Sequence, residues 1–229
     1  MTDQPANRSA RDPMVLTPRD PMVLTPRDHM VDSQIRPNQV NDSRVIAAMR
    51  NLDRAHFAPP GALAYADADI ALGAGRFLLA PMVTARLAQA VLATSPATIL
   101  VIGAGSGYLA SVLAACGPHV TALDDETATP SRAQGADIVT GPLTLGWPAA
   151  GPYEAIVIEG AVPAIPASLA GQLAPGGRVV TILADGPHNG DIGRAVAAVP
   201  SKGGFALLTL FDCTARILPA FEQAPAFQF

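Results

Sequence analysis

Lysine is almost absent from this 229-residue chain: Lys202 is the single one. With a formal net charge of −4, no basic field is available to draw nucleic acid or an anionic membrane surface. Cysteine is equally scarce. Cys116 and Cys213 lie on apolar stretches and read as small core residues, not as a disulfide framework or a metal centre. The histidines, His29, His56, His119 and His188, fall in unrelated segments with no H-E-x-x-H or Cys–His spacing, so no metal is expected. Trp147 is the one tryptophan, a poor nucleic-acid signature in a chain without a basic patch. It and Tyr153 are expected to pack a sheet edge. No apolar run is long enough to span a membrane. No charged, apolar, small-residue succession marks a secretory leader, so the expected compartment is the cytoplasm.

What is present is apolar. Hydrophobic residues make up 49% of the chain, enough for one sizeable folded domain. The first residues stand apart. Arg11-Asp-Pro-Met-Val-Leu-Thr-Pro18 recurs unchanged as Arg19–Pro26, and a third partial copy begins at Arg27-Asp28. A repeat with proline at two places cannot continue as a regular helix and is too short for a solenoid. Residues 1–29 therefore read as a disordered tail, an appended segment or an upstream start, with Met30 the more natural beginning. Residues 30–229 read as a single domain, with a helical N-terminal part over 30–95 and a sheet over 96–229.

Within that domain, Asn41–Met49 opens on helix-capping residues and continues with helix formers. Gly73–Pro81 reads as a loop and Met82–Ala93 as a helix. Strands are expected at 98–102, 120–124, 138–139, 153–159 and 178–183, with helices after the first and over Pro166–Leu173. Phe205–Phe211 and Ala215–Leu218 are expected to form a terminal antiparallel pair. Alternating strands and helices imply an α/β fold: a doubly wound, mainly parallel Rossmann-like sheet with helices on both faces and a C-terminal antiparallel strand pair.

The most informative stretch is Thr98–Ala115. A short β-branched run ends in Gly103, Gly105 and Gly107, and a helix-like run follows at once. Such a turn lets a ligand approach the backbone closely. Val120–Asp124 is a second apolar run ending in an acid, placed to take ribose hydroxyls. The spacing is G-x-G-x-G, with Tyr108 where a dinucleotide fingerprint has its third glycine, and no P-loop Lys-Ser/Thr pair is present. That pattern suits S-adenosylmethionine, which has no pyrophosphate to seat. Ser106 is not a nucleophile elbow, because G-x-S-x-G is absent.

The block order along the chain resembles the protein-L-isoaspartate O-methyltransferases, within the class I methyltransferases. The resemblance runs from about Val31 to Leu218. It is carried by Asp42–Met49 with Phe57, Ala64-Tyr-Ala-Asp67, Gly75-Arg-Phe-Leu-Leu-Ala-Pro81, Ile102–Tyr108, Pro152-Tyr153, Ala161–Pro166 and Gln172–Val179. It implies S-adenosyl-L-methionine as cofactor, held by Ile102, Gly103, Gly105, Gly107, Tyr108 and Asp124. It also implies an isoaspartyl protein or peptide as substrate and repair of damaged proteins as the role. The family's substrate loop reads Gly-Gln-Thr-Ile-Ser-x-Pro; here Phe77 stands at the threonine and Leu79 at the serine, so two hydroxyls are gone. The family's Gly-Asp-Gly, whose acid meets the adenine edge, is here Thr140-Gly-Pro142. Glu159 stands where the family has a small or hydroxyl residue.

Leu79, Arg76 and Glu159 are thus the candidate catalytic positions. Glu159 is a base for an amine or hydroxyl substrate, a solvated strand-end acid, or a partner for one of the arginines. Arg76 is its partner, a binder of the substrate carboxylate, or a surface arginine. An isoaspartyl carboxylate has an ordinary pKa near ~4 and is already ionised, so its methylation needs alignment and exclusion of water but no base. Two further readings stay open: an enzyme of the same fold acting on another substrate, and a cofactor-binding module without isoaspartyl activity.

Overall fold

The computed structural model describes residues 24–125, 131–186, 190–214 and 216–222. His188 and the first repeat copy lie outside these residues. The chain is already folded at Thr25, inside the expected tail. Thr25 caps the short helix α1 (Pro26–Met30), with proline in its first turn. Asp28 pairs with Arg50 at 2.8 Å, and Arg27 donates to the Asn51 carbonyl. Met30 is buried at the end of α1.

Helix α2 (Ser43–Asn51) begins at an Asp42 cap, as its sequence anticipates. The expected Gly73–Pro81 loop is instead half of a hairpin. Strands β1 (Ile70–Gly73) and β2 (Arg76–Leu78) pair antiparallel across Ala74-Gly75, both at positive φ. Two positive-φ residues give the turn whose twist matches a hairpin. Alanine disguises it, because that position ordinarily carries Asn, Asp or Gly. Helix α3 (Pro81–Leu92) follows at once.

Strand β3 (Thr98–Ile102), helix α4 (Tyr108–Ala115), and strands β4 (His119–Asp124), β5 (Asp137–Thr140), β6 (Tyr153–Val162), β7 (Leu173–Ala184), β8 (Ile192–Ser201) and β9 (Gly204–Thr214) complete the domain. The strand order is β5-β4-β3-β6-β7-β8-β9, parallel through β7 and antiparallel for the last two pairs. The chain leaves β3 toward β4 on one side and returns to β6 on the other. That reversal opens a crevice beyond the carboxyl ends of these strands, where α/β sheets take their ligands.

Residue parity divides the core. Ile99, Val101, Ala155 and Val157 face α2, α3 and α4, while Leu100, Ile102, Ile156 and Ile158 face the opposite side. The two faces are covered differently. Among the described residues the second face is covered by 3-10 turns at Leu143–Leu145, Pro148–Ala150, Ala167–Gln172 and Pro219–Phe221. Prolines 142, 148, 152, 163 and 166 interrupt those connections and keep them from lengthening into helices. The terminal pair is also reassigned. Phe205–Phe211 belongs to β9, whose partner is β8, while Ile217 makes an isolated parallel bridge to Ala161. Trp147 and Tyr153 pack as expected, with the Tyr153 hydroxyl donating to the Trp147 carbonyl.

Candidate active site

Strand register places the site. Ile102 lies level with Leu123 on β4 and Ile158 on β6. The next residue of each strand is Gly103, Asp124 and Glu159, so three residues distant in sequence meet at one level of three adjacent strands. Gly103, Gly105 and Gly107 all have positive φ, a conformation that glycine adopts without strain. Gly107 N-caps α4. The Gly105 amide donates to the Asp124 carboxylate, and the Asp125 amide donates to its other oxygen at 2.9 Å.

Arg76 arrives at the same carboxylate from the hairpin. Its Nη2 lies 2.8 Å from both oxygens of Asp124, and its Nη1 lies 3.7 Å from Asp125. Arg76 and Asp124 are both buried, at 3% and 6% exposure. The surface-arginine reading is thereby corrected: a short strand, not a free loop, carries Arg76 inward. Burial raises the Asp124 carboxyl above its ordinary value, against the pull of Arg76 and the two amides.

Glu159 is buried as well, with 4% exposure, so the solvated-acid reading falls. Its Oε2 has no hydrogen-bond partner. Burial pushes its carboxyl well above the ordinary range; Arg76 and Arg54 pull it back and Asp124 adds to the rise. Glu159 shares a cavity of about 10 Å³, room for about one water, with Phe77, Leu79, Arg216 and Leu218. Leu79, at 2% exposure, forms an apolar wall where the family pattern has a hydroxyl. Arg216 also lines an outer cavity of about 420 Å³ with Asp67, Asp69, Met82 and Cys213. It stacks on Phe77, 4.8 Å from the ring centroid, and pairs with Asp69 at 3.3 Å.

Tyr108 lies under this floor, not in it. Its ring packs against Phe57 and beneath the Arg54 guanidinium, 5.0 Å away, and burial pushes its hydroxyl up to about 12. Beyond β5, Gly141 lies under the Trp147 ring, and its amide donates to the Asp124 carbonyl. Among the described residues no group of three or more potential metal ligands occurs.

The family pattern of protein-L-isoaspartate(D-aspartate) O-methyltransferase (PCMT) matches residues 25–189. The chain belongs to the protein-L-isoaspartate O-methyltransferase family. The protein-L-isoaspartate O-methyltransferase of Rhodopseudomonas palustris (strain ATCC BAA-98 / CGA009) is 40% identical over 162 residues, 66% of this chain and 74% of that protein. That of Herpetosiphon aurantiacus is 36% identical over 166 residues, 68% of this chain and 74% of that protein. A Plasmodium falciparum structure described as a member of the family, in complex with S-adenosyl-L-homocysteine, superimposes with a TM-score of 0.67 at 17% identity. It covers 85% of this chain and 98% of its own. The folds therefore agree: an α/β methyltransferase sheet with antiparallel strands at its C-terminal end.

For an S-adenosylmethionine-dependent family, the glycine turn is the feature to test. The backbone fits the cofactor: glycine stands at three of the five turn positions, and an acid ends the neighbouring strand. Two side chains stand in its way. A Cβ at Gly103 would meet Leu218 Cδ1 at 3.0 Å and Arg76 Nη2 at 3.3 Å.

Arg54 escaped the sequence reading, since one arginine between Asp53 and Ala55 carries no spacing signal. It is fully buried, donating from Nε to the Ala64 carbonyl at 2.8 Å and from Nη2 to the Leu79 carbonyl at 2.6 Å. It thus ties the substrate-loop backbone to the segment before β1. Arg54→Met removes two charge-assisted bonds, leaving the Ala64 carbonyl without this donor and the Leu79 carbonyl with the Thr84 hydroxyl alone, while relieving the burial that pulls the guanidinium below its ordinary value. The losses outweigh the relief. Urea unfolding is expected to show about 2–4 kcal/mol less stability; a change under ~0.5 kcal/mol would deny Arg54 this role.

Proposed function

We propose that this chain methylates isoaspartyl side-chain carboxylates in damaged proteins, with Glu159 as the hydrogen-bond donor that the loop serine supplies elsewhere in the family. When bound, S-adenosylmethionine supplies a sulfonium methyl to an oxygen nucleophile. Gly103, Gly105, Gly107 and Asp124 are the residues that would hold it. The acceptor carboxylate is ionised at neutral pH, so the protein's work is to orient it and exclude water.

The carrying observation is the unpartnered, buried Glu159 Oε2 in the wall it shares with Leu79. Burial favours the protonated form of this carboxyl, and in that form it can donate to an anionic substrate. An ionised one would repel that substrate. Leu79 and Phe77 keep water from the acceptor oxygen. Arg216, bridging the outer cavity and the inner wall, offers positive charge along the approach. Two free cysteines, Cys116 and Cys213, agree with a reducing cytoplasmic compartment. Among the described residues no helix is long and apolar enough to cross a membrane.

Methyl transfer from labelled cofactor to an isoaspartyl peptide, with the matching aspartyl peptide as control, tests the proposal. Label is expected in the isoaspartyl peptide alone. No transfer by protein shown to bind the cofactor would reject isoaspartyl methylation and favour another acceptor.

A further inference from the structure

We infer that Arg76 is a built-in competitor for the cofactor's ribose position, a latch that must release Asp124 before the nucleoside can be held. The inference rests on the reading of the glycine turn as the cofactor site. Asp124 ends β4 at the level of the turn, the strand-end position that ribose hydroxyls use, whereas β6 runs on past Glu159. Both of its oxygens are engaged by the same Arg76 nitrogen at 2.8 Å, and each also accepts one backbone amide. A ribose diol needs two good acceptors there, and the guanidinium already claims them in a charge-assisted pair.

The latch is mounted on a separate element. The hairpin β1–β2 forms its own two-stranded sheet. It also brings Leu72 within 3.3 Å of where a Gly105 Cβ would stand, and its tip residue Gly75 lies against Pro219. Arg76 therefore reaches across 48 positions of sequence without any strand of its own joining the main sheet. Asp125, 3.7 Å from Nη1, is positioned to keep the displaced guanidinium at the rim. In the family pattern the matching residue is glutamine, which is uncharged and makes no ion pair with the acid.

Titration calorimetry with S-adenosylhomocysteine tests this on the full chain, comparing wild type with Arg76→Gln and Arg76→Met. Both variants are expected to bind at least about tenfold more tightly (~1.4 kcal/mol). Two substitutions are used because Met leaves Asp124 without a side-chain partner, whereas Gln retains a neutral donor that favours folding. Equal or weaker binding by a folded variant, with wild type binding normally, overturns the latch and leaves the cofactor site standing. Binding by none of the three overturns the cofactor reading of the turn and the latch with it.

Discussion

Gly105→Val is expected to abolish binding of S-adenosylhomocysteine while the protein still folds; Gly107→Val is expected to prevent folding. The two glycines are two residues apart and both have positive φ, so backbone strain alone does not separate them. What separates them is what a side chain meets. At Gly105 a Cβ stands 3.3 Å from Leu72 Cδ1, the far end of a flexible side chain that can give way. Strain and repacking there cost on the order of 1–3 kcal/mol. The branched side chain would then lie over the turn, in the space the cofactor needs. At Gly107 a Cβ stands 2.5 Å from the Ala133 amide nitrogen and 2.7 Å from its Cα, both backbone atoms. Relieving that contact means moving the segment after β4 off the start of α4. Circular dichroism melts and calorimetry read the two effects separately. A folded Gly105→Val protein with undiminished affinity would move the cofactor away from the turn.

Glu159 gives the second large effect. Glu159→Ala is expected to lower kcat on an isoaspartyl peptide by about 10–100-fold, the value of one hydrogen bond to a charged group, ~1.5–3 kcal/mol. Glu159→Gln retains an N–H donor and should keep most of the activity. The pH profiles should differ in a definite direction. The wild-type donor is the protonated carboxyl, so its rate falls as pH rises through the elevated Glu159 pKa; the Gln variant lacks that fall. Stability follows the same sign. Between the unfolded carboxyl's pKa near ~4.3 and the higher folded one, the native state holds more protons. Stability therefore declines with rising pH across that window. Glu159→Gln should flatten the decline. If Glu159→Gln proves as inactive as Glu159→Ala on the isoaspartyl peptide, a neutral donor does not serve at this position and the hydrogen-bond role of Glu159 is rejected.

The sheet and its ligand-facing end were legible in the sequence because their signals are local. The run Ile99–Ile102, the glycines after it and the acid ending Val120–Asp124 each sit within a few residues, and parallel pairing brings them level. Strand β8 was not legible: Arg194-Ala-Val-Ala-Ala-Val199 has neither alternation nor bulky β-branched residues throughout. The hairpin was hidden by Ala74 at a positive-φ turn position. Arg76 and Glu159 were recognised as chemically odd but given surface alternatives, since charged residues are seldom buried. What buries Arg76 is an acid 48 residues away, and what buries Glu159 is its register on β6; neither appears in the residue's own neighbourhood.

The hairpin Ile70–Leu78 shares no backbone ladder with the seven-stranded sheet. Substitutions in it reach the site through side chains and leave the large sheet's hydrogen bonds untouched. Selection on what enters the crevice is thereby uncoupled from selection on whether the domain folds. The departures Arg76, Phe77 and Leu79 fall within four consecutive positions on β2 and its exit, where a lineage can revise recognition while inheriting its scaffold unchanged.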